Sequence, residues 1–178
     1  VLINGIFYAA NKVYGLTFKE RKDIPTYHPD MKVFDVIDNN GKQLALFYCD
    51  YFRRPSKRGG AWMSAFAKQS KMRQQIPLIY NVCNYAKAPD GQPTLLTWDE
   101  VSTMFHEFGH ALHGMLSNCY YNTLSGTAVA RDFVEMPSQF NESFASIPEV
   151  FNHYAKHYKT NQPMPADLCD RMLKSINY

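Results

Sequence analysis

The sequence predicts an α+β fold in which a small sheet is followed by helices. Two apolar runs rich in β-type residues, 33–38 and 44–49, flank a turn that contains glycine. A third apolar run covers 77–85, and from Thr97 onward the apolar residues recur with the helical period. Strands followed by helices are typical of α+β domains, and the 178 residues (1–178) are enough for one domain with a buried core.

The first elements along the chain are expected to be short. Residues 1–15 favour a helix that Gly5 and Gly15 interrupt, because glycine weakens the interior of a helix. Residues 16–18 then resemble the start of a strand. Residues 39–42, Asn-Asn-Gly-Lys, are predicted to join the first two apolar runs as a hairpin, since the glycine tolerates a positive φ.

Charge and hydropathy argue against two classes of partner. The net charge of +3 is small, and the basic pairs 53–54 and 57–58 are too few to indicate a nucleic-acid surface. No apolar run approaches the roughly 20 residues that a membrane-spanning helix requires. We therefore expect neither nucleic acid nor membrane as a partner.

The cysteines weakly indicate a cellular compartment, and the first residues weakly indicate a longer parent protein. The four cysteines show no Cys-x-x-Cys spacing and are predicted to be isolated buried thiols, which fits a reducing, cytoplasmic location. They are Cys49, Cys83, Cys119 and Cys169. Residues 1–5 contain neither an initiator Met nor a signal sequence, so we expect a fragment of a longer protein.

A capping sequence predicts the start of the main helix. Thr97 is followed three residues later by Glu100, so the helix is expected to begin at Trp98 and to run to Leu116. One apolar stripe with the spacing of a buried helix face is formed by Val101, Phe105, Phe108, Leu112 and Met115.

Two histidines of this helix do not lie on that stripe. A single histidine on a helix is more often a packed or solvent-facing residue than a metal ligand. Here His106 and His110 lie one turn apart on the non-core side, so both imidazoles can reach one ion at about 2.0–2.1 Å. Glu107 follows the first histidine and is rotated by about 100°, which places it beside the ion rather than in its ligand set. The pattern predicts a catalytic zinc site with Glu107 as the general base.

A catalytic zinc site requires a third protein ligand and an open position. Asp132 is predicted to cap a second helix whose fourth position is Glu135, with Pro137 near its start. Glu135 is the preferred third ligand, and Glu142, two turns further on, is the alternative. Glu142, Asp132 or Gln139 could then hold an imidazole N–H. The apolar face of this helix is expected to consist of Phe133, Met136, Phe140 and Phe144.

His113 lies on the same side of the first helix as the other two histidines. It is about 10 Å along the helix axis from His106, too far for both to bind one ion. Contact with substrate, a supporting hydrogen bond and plain solvent exposure all remain open for it.

The motif residues resemble one peptidase family. The run 105–113, Phe-His-Glu-Phe-Gly-His-Ala-Leu-His, is similar to the active-site helix of the thimet oligopeptidase and oligopeptidase A family, and so are 124–127 and 131–139. The supporting stretches are 45–48, 59–63 and 79–85. Within the family, the likeness is greatest to the bacterial peptidyl-dipeptidases (dipeptidyl carboxypeptidases), which remove C-terminal dipeptides, and it covers residues 24–178.

The resemblance implies a zincin-like, mainly helical catalytic core with one Zn²⁺ per chain and oligopeptide substrates. The family's ligands fall on His106, His110 and Glu135 and its catalytic glutamate on Glu107. It also implies that the strand near 79–85 flanks the cleft and pairs with extended substrate. Family members are several times longer and carry a downstream Tyr- and Gly-rich segment, so this chain is expected to need the remainder of its parent peptidase.

The residues alone leave two alternatives to a peptidase open. One is a purely structural zinc domain, although such sites usually have four ligands and are rich in cysteine. The other is an inactive module whose fold survives without the downstream substrate-binding segment.

Overall fold

In the computed structural model, which describes residues 1–175, a helix precedes five strands and four further α-helices follow them. The predicted α+β class is confirmed. None of the helices in the described range is both long and apolar enough to cross a bilayer. The α-helices are α1 (Leu2–Tyr14), α2 (Trp98–Met115), α3 (Met136–Glu142), α4 (Pro148–Tyr154) and α5 (Ala166–Ser175). The strands are β1 (Thr17–Glu20), β2 (Lys32–Ile37), β3 (Gln43–Phe52), β4 (Trp62–Ala67) and β5 (Leu78–Tyr85).

The five strands form one mixed sheet in the order β1-β2-β3-β5-β4. The predicted β2–β3 hairpin is present, and Gly41 adopts φ 79° in its turn. Strands β3 and β5 are parallel, and the other pairs are antiparallel. Strand β4, which the sequence pattern missed, lies at an edge and pairs with residues 78–82 of β5. The expectation that β5 pairs with substrate is therefore wrong for most of its length, because its neighbours use its backbone groups on both sides.

Helix α1 is continuous through Gly5, so the expected interruption there is wrong. Gly5 is buried in the helix, and a Cβ atom at this position would lie 2.6 Å from Cβ of Tyr154 in α4. The glycine permits a close approach between two helices, which offsets its weak helix propensity. Gly15 ends α1 as the left-handed cap residue with φ 69°.

Helix α2 begins and packs as predicted. Thr97 Oγ1 accepts a hydrogen bond from the backbone N–H of Glu100, and the Glu100 carboxylate accepts one from the N–H of Thr97. The helix ends at Met115, with Leu116 as its C-cap. Four of the five residues of the predicted stripe are buried in the core that α1, α2 and the sheet share: Phe105, Phe108, Leu112 and Met115.

Helix α3 begins later than predicted. Asp132 lies in a run of turns, and the helix starts at Met136 with Glu135 as its N-cap residue. Pro137 explains the shift, because proline lacks an N–H and fits only the first turn of a helix. The expected cap at Asp132 is therefore wrong, and Glu135 lies at the helix boundary instead of inside the first turn.

The predicted apolar face of α3 is not buried. Phe133, Met136 and Phe140 are 44%, 51% and 52% exposed, and Phe144 is half-buried. The residues that α3 buries against α2 are polar and small, namely Ser138 and Asn141. Asn141 Nδ2 donates a 2.6 Å hydrogen bond to the carbonyl of Phe105, so the helix contact depends on a buried hydrogen bond and close packing.

Gly109 permits this close contact between α2 and α3. A Cβ atom on Gly109 would lie 2.6 Å from Cα of Ser138, 2.8 Å from Cβ of Asn141 and 2.8 Å from the carbonyl oxygen of Pro137. Two of these three atoms belong to the backbone, so a side-chain rotation cannot relieve the clash. Any residue larger than glycine must push α3, and with it Glu135, away from α2.

Gly109→Ala is expected to lower the free energy of unfolding by about 1–3 kcal/mol, because overpacking forces the backbone to shift. Thermal or denaturant unfolding measures the change. Gly59→Ala is the matched control, because a Cβ atom there meets nothing within 4 Å and Gly59 has no positive φ. Equal stability of the two variants would contradict the close packing described for Gly109.

A buried ionic cluster fixes the 53–60 loop, which contains the basic pairs 53–54 and 57–58. Asp50 on β3 is 2% exposed, and both of its carboxylate oxygens accept hydrogen bonds from Arg54, at 2.8 and 2.9 Å. Lys57 Nζ donates to Asp50 Oδ1 at 2.9 Å and to the carbonyls of Asp50 and Phe52. Tyr27 Oη donates to Asp50 Oδ2 at 2.9 Å. These bonds hold the loop that leads into the edge strand β4.

Asp50 should make stability depend on pH in acid. Burial favours its neutral form, but hydrogen bonds from Arg54, Lys57 and Tyr27 outweigh burial and lower its pKa from 3.8 to about 2. Because the folded-state pKa is the lower one, about 2 kcal/mol of stability is present above pH 4 and is lost as pH falls towards 2.

Denaturant titrations between pH 2 and 5 test this expectation. The decline in the free energy of unfolding should be smaller in Asp50→Asn than in the parent protein. The matched control is Asp90→Asn, at an exposed aspartate. An unchanged pH slope in Asp50→Asn would show that Asp50 is not responsible.

The prediction of buried thiols is correct for two cysteines. All four are free; Cys49 and Cys83 are buried on neighbouring strands, whereas Cys119 and Cys169 are only partly buried. Burial raises the pKa of Cys83 to about 12 and raises that of Cys49 further, which keeps both as inert thiols.

Candidate metal centre

Helix α2 and the residue that begins α3 bring three potential ligand atoms together. His106 Nε2 lies 3.2 Å and His110 Nε2 lies 3.0 Å from the same oxygen, Glu135 Oε2. Ligand atoms from these three residues all lie within 4.8 Å of one another, and within residues 1–175 no other such group of His, Cys, Asp or Glu occurs. The predicted set is thus assembled in space, although its members are up to 29 positions apart in the sequence (135 − 106).

The spacing and chemistry of these atoms fit a zinc ion. In a tetrahedral site with bonds of about 2.0–2.1 Å, two ligand atoms are about 3.3 Å apart, close to the two distances observed here. Two imidazole nitrogens and one carboxylate oxygen are also a donor set used by catalytic zinc. The two histidine rings lie nearly perpendicular, at 83°, with centroids 5.0 Å apart.

Glu135 is held in the charged form that a metal ligand requires. Ser138 Oγ shares its one proton between the Glu135 carboxylate oxygen Oε2, at 2.9 Å, and the Glu135 backbone carbonyl, at 2.8 Å. The Ser138 hydrogen bond has the largest effect and lowers the pKa of Glu135; burial opposes this shift, and the nearby imidazoles lower the pKa further. The side chain is 51% exposed, so it faces open space.

His106 is oriented by a second carboxylate. Glu142 Oε2 lies 3.0 Å from His106 Nδ1, and Glu142 Oε1 accepts a 2.7 Å hydrogen bond from Ser102 Oγ. A proton on Nδ1 leaves the lone pair of Nε2 directed at Glu135 and free for a cation. The structure therefore places Glu142, the alternative third ligand, on the outer side of the imidazole.

His110 is the more buried of the two histidines, with a side chain only 12% exposed. Burial lowers the pKa of His110, and Glu135 partly opposes this shift. A lowered pKa favours the neutral imidazole, which is the form that binds metals. Its Nδ1 atom is buried without a hydrogen-bond partner among the described residues.

Glu107 is buried beside the three potential ligands. It is 8% exposed, and burial raises the pKa of its carboxyl; His106 opposes this shift and Glu135 adds to it. A carboxylate with a raised pKa accepts a proton more readily than an exposed one. Glu107 is absent from the group of converging ligand atoms, as its rotation from His106 around the helix axis predicts.

Other candidates named from the sequence lie outside the group. His113 is not among the converging residues; its ring makes an edge contact with Phe133, with centroids 6.3 Å apart. Asp132 and Gln139 make no side-chain contact with the histidines among the described hydrogen bonds and ion pairs. Two serines that support the site, Ser102 and Ser138, were not predicted from the sequence. Their spacing could have identified them, because Ser102 lies one helical turn before His106 and Ser138 lies three residues after Glu135.

Comparison with known proteins agrees with the resemblance to a peptidase family. The sequence profile of peptidase family M3 matches residues 1–178. The dipeptidyl carboxypeptidase of Salmonella typhimurium is 56% identical over 98% of this chain and 26% of its own length. The Escherichia coli dipeptidyl carboxypeptidase is 54% identical over 97% of this chain and 25% of its own length.

A second group of relatives is less similar. Escherichia coli oligopeptidase A is 42% identical over 99% of this chain and 26% of its own length. The chain spans about a quarter of the length of these three relatives. The profile match over all residues and the identity to two kinds of peptidase confirm the resemblance stated above: the chain belongs to peptidase family M3.

Proposed function

We propose that this chain carries the zinc site of a peptidase that hydrolyses oligopeptides and releases C-terminal dipeptides. One observation carries the proposal: ligand atoms of His106, His110 and Glu135 converge within 4.8 Å, and the buried carboxylate of Glu107 is close enough to feel the charges of His106 and Glu135. Three protein ligands with a neighbouring carboxylate are typical of catalytic zinc, whereas structural zinc is usually enclosed by four.

The residues have separate roles in this proposal. His106, His110 and Glu135 hold the cation. When bound, zinc polarises a carbonyl oxygen and makes water more acidic. Glu107 accepts the proton of the attacking water and delivers it to the amine nitrogen of the departing product. Burial of Glu107 supports this assignment, because its raised pKa suits both halves of the proton transfer.

The substrate backbone is proposed to extend the sheet at β4. This strand is an edge of the sheet, so its outer backbone groups have no strand partner within the described residues. Strand β4 also borders α2: a Cβ atom on Gly114 would lie 2.6 Å from Met63 Cε. An extended peptide added to β4 would therefore run alongside the helix that carries His106 and His110.

Release of dipeptides is proposed from the two most similar of the relatives described above. Both are dipeptidyl carboxypeptidases, at 56% and 54% identity, against 42% for oligopeptidase A. The test is mass spectrometry of products from peptides with free and amidated C-termini, with and without a chelator. We expect successive loss of C-terminal dipeptides. This loss should occur only from peptides with free C-termini and only without chelator.

Each other outcome of that test removes one part of the proposal. If amidated peptides are cleaved at internal bonds as well as free peptides are, the activity is internal cleavage and not dipeptide release. Hydrolysis that survives complete removal of metal would exclude the zinc mechanism. Stoichiometric zinc without hydrolysis would favour the structural or inactive alternative.

A further inference from the structure

The hydroxyl of Ser102 contacts neither His106 nor the three converging ligand atoms directly, yet it is joined to them by two short hydrogen bonds. Ser102 Oγ donates to Glu142 Oε1 at 2.7 Å, and Glu142 Oε2 lies 3.0 Å from His106 Nδ1. Ser102 and His106 lie one turn apart on α2, and Glu142 is the last residue of α3. The Glu142 carboxylate on α3 therefore contacts two residues of α2, Ser102 and His106.

This arrangement gives each oxygen of Glu142 a separate partner. A carboxylate can rotate about its side-chain torsion and exchange its two oxygens, but a donor on Oε1 disfavours that rotation. Oε2 then stays on His106 Nδ1, which fixes the tautomer with the proton on Nδ1 and keeps Nε2 as a lone-pair donor. The Glu142 side chain is already 40% exposed, so without the Ser102 hydroxyl it would be free to swing into solvent.

Glu142 is also a potential competitor of Glu135. It carries the same functional group, lies on the same short helix and faces the same imidazole. An unrestrained Glu142 could approach the cation in place of Glu135, or leave His106 without its partner. A hydroxyl that binds one oxygen while the imidazole binds the other disfavours both outcomes.

We propose that Ser102 is a positioning residue that holds Glu142 on the outer side of His106 and so keeps it out of the metal's ligand set. This inference rests on the proposed zinc site. It assigns Ser102 no contact with substrate or with the reacting atoms. Threonine keeps the hydroxyl at this position, whereas alanine removes it, so the two variants separate the hydrogen bond from the volume of the side chain.

The test compares Ser102→Ala, Ser102→Thr and Ser143→Ala. Ser143 is the matched control, because its hydroxyl also makes one short bond, 2.6 Å to the Phe140 carbonyl, but has no bond to Glu142. Zinc affinity is measured by competition with a chromophoric chelator. We expect Ser102→Ala to bind zinc up to about tenfold more weakly, at the lower end of the effects seen for residues that support metal ligands. Ser102→Thr and Ser143→Ala should match the parent protein.

Nitrogen-15 NMR of the histidine side chains gives the second readout. In zinc-loaded protein, His106 of the parent should carry its proton on Nδ1. In zinc-free protein at alkaline pH, where an imidazole carries a single proton, Ser102→Ala should shift proton occupancy from Nδ1 towards Nε2. A general loss of stability would not produce this change at one histidine, and thermal unfolding of all variants checks for such a loss.

The outcomes separate this inference from the proposed function. If Ser102→Ala matches Ser143→Ala in both zinc affinity and His106 tautomer, the positioning role is wrong while the zinc site stands. If the parent protein binds no zinc, the proposed function fails, and the zinc-free tautomer comparison still decides whether Ser102 controls Glu142.

Discussion

Glu107→Gln is expected to reduce peptide hydrolysis at least about a hundredfold while zinc remains bound. Glutamine has nearly the same shape as glutamate but cannot accept a proton at neutral pH, so the substitution removes the general base alone. Glu107 is not among the three converging ligands, which is why metal binding should survive. Hydrolysis of a peptide with a free C-terminus and zinc analysis of the same preparation measure the two effects together.

The control for this variant is Glu20→Gln, which makes the same chemical change at a residue of β1 that forms a surface ion pair with Lys32. Glu20→Gln should keep normal activity and normal zinc content. Near-normal hydrolysis by Glu107→Gln at full zinc occupancy would assign proton transfer to another group. Loss of zinc in Glu107→Gln would instead mean that the carboxylate supports the ligand set.

Glu135→Gln is expected to weaken zinc binding far more than Glu142→Gln. A four-ligand zinc site is worth about 10–16 kcal/mol, so one ligand accounts for roughly 2.5–4 kcal/mol, or on the order of a hundredfold to a thousandfold in affinity. Glu142→Gln removes only a partner of His106 and should weaken zinc binding about tenfold. Chelator competition on both variants measures the difference.

These two glutamates serve as controls for each other, because both lie at the ends of α3 and both face His106. If the order is reversed, with Glu142→Gln the weaker binder, Glu142 is the ligand and Glu135 only supports it. Equal and small effects in both variants would show that neither carboxylate binds the ion, and the three-ligand site would be wrong.

Local patterns in the sequence predicted the part of the site that lies on α2. Thr97 and Glu100 mark the helix start, the apolar stripe marks its buried side, and both histidines lie off that stripe within the same 18-residue helix. All these features depend on the geometry of one helix, which is regular. Glu135 was harder to assign: the residues alone left Glu142 open, and the resemblance to a family favoured Glu135.

The features that the sequence pattern missed depend on contacts between elements. Strand β4 does not alternate clearly between apolar and polar residues, and pairing with β5 defines it. The apolar residues of α3 suggested a buried face, but Gly109 brings Ser138 and Asn141 against α2 instead.

The short length of α3 makes the part of the site that it holds less stable than the part on α2. His106, Glu107 and His110 belong to a helix of 18 residues whose apolar side lies in the core, whereas Glu135 precedes a helix of only 7 residues. Opening of α3 alone would remove the ligand carboxylate of Glu135, together with Glu142, and leave the imidazole pair in place. Partial unfolding should therefore release the cation before the sheet unfolds. Amide protons of α3 should accordingly exchange with solvent faster than those of α2, and bound zinc should slow them.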